Sequence, residues 1–227
     1  MEPLLATMRK DKIIKGIFVP GANGERAKCI AYMDDVTLLC PDTQSVKRVI
    51  LHTELFAQAS GLNLNLNKST CITFGNWDRL TKLDIQVTTN PIKILGIFFS
   101  EDTSGSLNWE LLKNKIAQKL GLWKSRSLTM SGRILVIKSV ILPLILYTAV
   151  VFPPSKSILA KMQKIIFNFI WNSKIEKVKR SIMYKGVKNG GKNVPNLYVY
   201  LFTVYFYICF YALERAQILP QNSCAMV

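Results

Sequence analysis

Strand-forming Ile, Tyr, Val, Thr and Leu flank Met33-Asp34-Asp35 on both sides, in Cys29-Ile30-Ala31-Tyr32 and Val36-Thr37-Leu38-Leu39. That pattern predicts a β-hairpin with the two acids at its turn. Residues 1–28 start with a short helical piece and pass through a turn at Pro20-Gly21 before this hairpin. Asp42 is placed to cap a helix from about Thr43 to Ser60, with Val46, Val49, Ile50, Phe56 and Ala57 on one face and Gly61 ending it. Leu62, Leu64 and Leu66 alternate with Asn63, Asn65 and Asn67, and Cys71, Thr73 and Phe74 follow as strand formers. Pro91 precedes the apolar run Ile92 to Phe99, which Gly96 breaks. Hairpin, helix and further strands make residues 1–104 an α+β arrangement.

The period changes after Gly105. Trp109, Leu112, Ile116, Leu120 and Trp123 recur at three and four residues, which predicts an amphipathic helix. A second helix, capped by Thr129 or Ser131, runs through Leu146 with an interruption at Pro143, and a third covers Ser157 to Trp171. Residues 105–180 therefore read as a helical bundle, and 181–227 as an apolar helical segment. Within the latter, Leu197 to Leu213 is an uncharged run of 17 residues, eight of them aromatic. A membrane span needs ~20 apolar residues and places Tyr at the interface, so a buried helix is the expectation, with a membrane helix as the alternative. Ile134 to Phe152, whose one charge is Lys138, is a weaker candidate span.

Charge sharpens the division. The chain of 227 residues carries a net charge of +16, of which 105–180 holds +12 and 1–104 only +1. A basic segment after a nearly neutral one points to a polyanion, nucleic acid ahead of an anionic membrane, beside the plainer reading of a lysine-rich soluble surface. With 49% apolar residues there is ample material for a core, which excludes overall disorder. The five cysteines are odd in number and lack zinc-site spacing, as expected of reduced intracellular thiols. His52 is the lone histidine and has no nearby nucleophile, which removes Ser-His-Asp and Cys-His chemistry and leaves it a surface or packing role. Met1-Glu2-Pro3 puts an acid where a signal peptide has bases, so an intracellular location, nucleus or cytoplasm, is expected.

Asp34 and Asp35 gain interest from their neighbours. If the flanking strand residues are half buried, keeping both acids ionised is costly unless a cation lies beside them. Magnesium, which pairs one or two carboxylates with substrate phosphates, suits phosphoryl transfer. The alternative is an ordinary solvated turn, the reading given to Glu101-Asp102 among its loop-forming neighbours.

Read in order, these pieces resemble the reverse transcriptase of LINE-type (non-LTR) retrotransposons over nearly the whole chain. Ala31-Tyr32-Met33-Asp34-Asp35 resembles the family's catalytic hairpin, which more often has Ala where Met33 stands. Ser60-Gly61-Leu62-Asn63-Leu64-Asn65 with Asn67-Lys68-Ser69-Thr70 resembles the next palm motif, and Lys93-Ile94-Leu95-Gly96-Ile97 the primer grip. Leu128-Thr129-Met130-Ser131-Gly132-Arg133, then Lys138-Ser139-Val140-Ile141-Leu142-Pro143, is similar to the thumb, and Gly190-Gly191 with Val194-Pro195-Asn196-Leu197 to the region after it.

The resemblance implies a partial palm followed by a helical thumb, working by two-metal nucleotidyl transfer with Mg2+ and with an RNA template and DNA primer, or their hybrid, as partner. It assigns Asp34 and Asp35 to the metals, Tyr32 and Met33 to the floor of the site, and Lys68 to proton donation toward the leaving pyrophosphate. Leu95 and Gly96 would form the primer grip, and Lys113, Lys115, Lys119, Lys124, Arg126 and Arg133 would meet backbone phosphates. Upstream of Asp34 the acids are Glu2, Asp11 and Glu25, none in a strand-like run, so a partner catalytic aspartate is missing and the chain is expected to be inactive alone. A membrane partner is not expected, and no oligomeric state follows. A non-catalytic nucleic-acid-binding remnant and a small membrane protein anchored by 197–213 are the alternatives.

Overall fold

A computed structural model describes residues 2–19, 24–33, 35–63, 65, 68–74, 86–101 and 104–218. It has two compact units: one built on residues up to Ser104 and again from Tyr211, the other on Gly105–Phe210. Mixed helices and small sheets make up the first, and helices the second.

In the first unit α1 (Glu2–Lys10) is followed by the short strands β1 (Ile17–Phe18) and β2 (Arg26–Ala27), which pair antiparallel. Strands β3 (Cys29–Tyr32) and β4 (Asp35–Leu38) form the expected hairpin, and α2 (Thr43–Ser60) follows. Local chemistry sets both ends of α2. The Asp42 carboxylate accepts from the Ser45 amide at 2.7 Å, and Gly61 takes the left-handed conformation while its N–H reaches the Ala57 carbonyl. Leu4, Met8 and Ile14 bury themselves with Val49 of α2, and Leu38, Cys40 and Phe56 pack around them.

Beyond α2, β5 (Thr70–Ile72) pairs in parallel with β6 (Gln86–Thr88), and β7 (Ile92–Ile94) pairs antiparallel with β8 (Ile97–Phe99). Among the described residues each sheet has two strands. Of the alternation from Leu62, the described residues Leu62, Asn63 and Asn65 are in no strand, and the Asn65 carbonyl accepts from the Lys68 and Ser69 amides. Leu64, Leu66 and Asn67 lie outside the described residues.

A buried charge cluster ties α1 to α2. The Asp11 carboxylate, 9% exposed, takes Arg48 Nε at 2.7 Å and His52 Nε2 at 2.6 Å, and the Ile13 amide at 2.8 Å. Lys28 Nζ closes the end of α1 from the other side, donating to the Arg9 and Asp11 carbonyls at 2.8 and 2.6 Å. His52 thus has the packing role expected of it, at 11% exposure.

The second unit begins with α3 (Ser104–Lys124), which buries Trp109, Leu112, Ile116 and Leu120 as its period requires. Thr129 caps α4 (Met130–Val136), whose path continues through a π-helical turn, Ile137–Ile141, into α5 (Leu142–Val151). Pro143 explains that turn. Its ring would crowd the carbonyl four residues back and it has no N–H to give, so the backbone widens there and the Leu142 N–H bonds to the Ile137 carbonyl instead. The helix also runs past Leu146 to Val151, until Pro153-Pro154.

Ser155 caps α6 (Lys156–Trp171), α7 (Arg180–Tyr184) is a short turn, and α8 (Leu197–Ile218) follows. Buried Gln163 of α6 clamps the entry to α8: it donates to the Pro195 carbonyl at 3.3 Å and accepts from the Leu197 amide at 3.1 Å. Val194, Leu197 and Leu201 join the same core as α3, α4, α5 and α6.

The packed helix expected over 197–213 holds for one stripe only. Leu197 and Leu201 are buried and the Tyr205 hydroxyl donates to the Ala149 carbonyl at 2.6 Å, but Phe202 is 73% and Phe206 63% exposed. A helix apolar on every side can press only one side against a bundle. Among the described helices, Met130–Val151 is long and apolar enough to cross a membrane, with a mean hydropathy of 2.4, although much of it is core here.

Cys29, Cys40, Cys71 and Cys209 are free thiols, and burial raises Cys71 and pushes Cys40 up to about 11, which makes these two poor nucleophiles.

Arg48, His52 and the Ile13 amide hold the Asp11 carboxyl far below its ordinary value of 3.8. A depressed folded-state value means stabilisation that is full above that ordinary value and is lost as pH falls through the depressed one. Asp11→Asn is expected to cost about 1.5–3 kcal/mol at neutral pH. Urea unfolding at neutral pH and near pH 3 checks this, since the substitution should also remove the corresponding part of the acid sensitivity.

Candidate functional site

Backbone register places the hairpin's carboxylates. Cys29 pairs with Leu38, Ile30 with Thr37, Ala31 with Val36 and Tyr32 with Asp35, so the chain reverses direction between Tyr32 and Asp35. Such reversals match the twist of the strands when the first turn residue has positive φ, and Met33 has φ 55°. A side chain in that conformation costs about 1–2 kcal/mol relative to the right-handed region. Asp34 lies outside the described residues.

The half-buried setting expected for this tip is not what the structure shows. Tyr32 is 59% and Met33 80% exposed, and Asp35 is exposed as the first residue of β4. The reason is topological: among the described residues β3 and β4 pair only with each other, so no neighbouring strand covers the tip. Water can solvate Asp35 there, and charge repulsion within the fold no longer requires a cation.

A magnesium site needs several hard oxygen donors, usually from more than one segment. Among the described residues no three His, Cys, Asp or Glu side chains converge on one point. The upstream acids are placed elsewhere: Glu2 pairs with Arg9 at 2.7 Å, Asp11 with Arg48 and His52, and Glu25 is exposed beside β2. The donor set described here does not complete a metal site, and no catalytic step can be derived through one.

Lys68 is exposed in the turn held by Asn65. Leu95 and Gly96 form the reversal of the β7–β8 hairpin, with φ 47° and 89°, the two positive values of a type I′ turn.

Of the basic residues, Lys115, Lys124 and Arg126 are exposed and Lys119 is half-buried on α3 or just beyond it. Lys113 pairs with Glu110, and the Arg126 guanidinium lies over the Trp123 ring at 4.6 Å. Arg133 differs from the others. It is half-buried and donates to the Ile170 carbonyl at the end of α6 at 3.2 Å, where a cation also meets the negative end of the helix.

Sequence reading missed Arg133's internal task and the Asp11–Arg48–His52 cluster. The spacing of Arg48 and His52, four apart on one helix face, was the available signal for a shared anion.

Residues 1–99 match the reverse transcriptase (RNA-dependent DNA polymerase) family. Its palm-like motifs, including the hairpin with Asp34 and Asp35, fall inside the match. Over 201 residues, 86% of the chain, it is also 30% identical to the Transposon TX1 uncharacterized 149 kDa protein of Xenopus laevis. That alignment takes in the basic helices and agrees with the transposon-type resemblance. The chain spans 15% of the length of this relative.

Arg133→Ala is expected to lower stability by about 1–3 kcal/mol, the range for a hydrogen bond from a charged donor. Replacing exposed Lys115 should change stability by no more than about 0.5 kcal/mol. Denaturant unfolding of the two variants separates the internal arginine from the surface lysine.

Proposed function

We propose that this chain is the later part of the palm, residues 1–104, and the thumb, 105–180, of a transposon RNA-directed DNA polymerase, with 181–227 as the helical segment after the thumb. The supporting observation is the hairpin that places Asp35 opposite Tyr32 inside the stretch matched to the reverse transcriptase family. In that reading Asp34 and Asp35 are one wall of the nucleotidyl-transfer site and Tyr32 and Met33 its floor. Leu95 and Gly96 grip the primer, and Lys68 is placed for the leaving pyrophosphate. When bound, divalent metal would polarise the reacting phosphate and the attacking primer hydroxyl. The chain's own part is to present the two carboxylates and to hold the duplex.

Holding falls to Lys113, Lys115, Lys119, Lys124 and Arg126, through backbone phosphates and without reading sequence. A template–primer hybrid is the partner, and nucleus or cytoplasm the location. With Glu2 held by Arg9 and Asp11 by Arg48 and His52, these upstream acids do not supply a second wall, and in this reading the chain alone does not polymerise efficiently. Nucleic-acid binding without catalysis is the second reading, favoured by the exposed lysines of α3.

Primer extension on an RNA template with Mg2+ tests this. The purified chain is expected to give no extension above background yet to bind the template–primer duplex, and Asp34→Asn should leave that binding intact. Extension by the wild-type chain that Asp34→Asn abolishes would show that the site is complete and overturn the inactivity. Absence of duplex binding would remove both readings.

A further inference from the structure

On the first unit, Lys12, Lys15, Arg26 and Lys28 surround an open groove of about 490 Å³, with Ile14 and Gly24 completing its lining. Ile14 is buried in the core shared by α1 and α2, which fixes the floor of the groove beneath the four cations.

The four cations come from separate places: the link between α1 and β1 supplies Lys12 and Lys15, β2 supplies Arg26, and the residue before β3 is Lys28. Two of them also have partners in the fold. Lys15 Nζ lies 3.0 Å from the Asp42 carboxylate, and Lys28 Nζ holds the Arg9 and Asp11 carbonyls. Lys12 and Arg26 have neither an ion pair nor a side-chain hydrogen bond among the described residues. Nearby acids offer little balance: Asp11 is taken by Arg48 and His52, Asp42 caps α2 and meets Lys15, and Glu25 is exposed next to Arg26. Like charges gathered around one groove repel one another, and an anion that joins them relieves that repulsion.

We propose that this groove is a contact for the phosphate backbone of a nucleic-acid strand, separate from the lysines of α3. Lys12 and Arg26 would make the direct phosphate contacts, while Lys15 and Lys28 contribute field from fixed positions. The identity of the polyanion rests on the reading of the chain as a nucleic-acid-binding polymerase segment. The groove itself rests on its own geometry.

Fluorescence anisotropy of the full chain with a labelled RNA–DNA hybrid, over a range of salt concentrations, provides the test. The double substitution Lys12→Ala/Arg26→Ala should weaken binding at low salt about tenfold. It should also flatten the dependence of log affinity on log salt by roughly 1.4 to 1.8, the change for two lost phosphate contacts. Lys12→Arg/Arg26→Lys should restore both. Lys115→Ala/Lys119→Ala is the control on the other unit.

If that control weakens binding while Lys12→Ala/Arg26→Ala changes neither affinity nor slope, the groove is refuted and the parent reading stands. If the wild-type chain binds no hybrid, both fall. Free tripolyphosphate that binds as tightly as the hybrid, and loses that binding with Lys12 and Arg26, would overturn the strand in favour of a small polyphosphate.

Discussion

The reversal between Tyr32 and Asp35 is the constraint on which the chemistry proposed for this chain depends. With so short a loop the register cannot slip without turning every side chain of β4 to the opposite face, so Asp35 is fixed opposite Tyr32. The same shortness forces Met33 into positive φ. Strain of this kind persists when other interactions hold the turn, and the four-pair ladder from Cys29–Leu38 to Tyr32–Asp35 supplies them here. The hairpin therefore presents the Asp35 carboxylate from a fixed position beside an exposed tip. What it does not supply is a second wall: no described segment brings further acids to one point.

The hairpin is steadied from behind. Leu38 and Cys40, at and just after the end of β4, pack on the small core that α1 and α2 share, and the Asp11 cluster fixes those two helices to each other. Lys28, immediately before β3, grips the end of α1. Each link joins residues far apart in sequence, so a weak core of few apolar side chains is reinforced by charge-assisted bonds.

Legibility in the sequence followed the range of the interaction. Asp42 and Gly61 gave both ends of α2 because caps are local, and of the two cap candidates for α4, Thr129 and Ser131, the structure uses Thr129. Pro143 signalled an interruption, but its resolution as a π-helical turn depends on the apolar surroundings that keep the helix going. Leu62 to Asn67 alternated like a strand, yet Asn65 competes locally for the Lys68 and Ser69 amides and turns the chain. Exposure was the least legible property. Tyr32 and Phe206 look like core residues by type, yet among the described residues no neighbour covers them and they face outward. Arg48 and His52 share a helix face, but Asp11 lies 37 and 41 residues from them, so the spacing could signal an anion without saying which one.

In candidate-site terms, the motif residues and the charge segregation were readable, whereas Arg133's commitment to the Ile170 carbonyl was not. The most direct measurement of the central claim, that this hairpin is one wall of a divalent-cation site, is an NMR titration of the chain with Mn2+ in place of Mg2+. Half a site should bind weakly, with a dissociation constant on the order of 10⁻³ M, and should broaden signals of Tyr32, Met33 and Asp35 first. Broadening centred elsewhere, or affinity a hundredfold tighter from the chain alone, would contradict it.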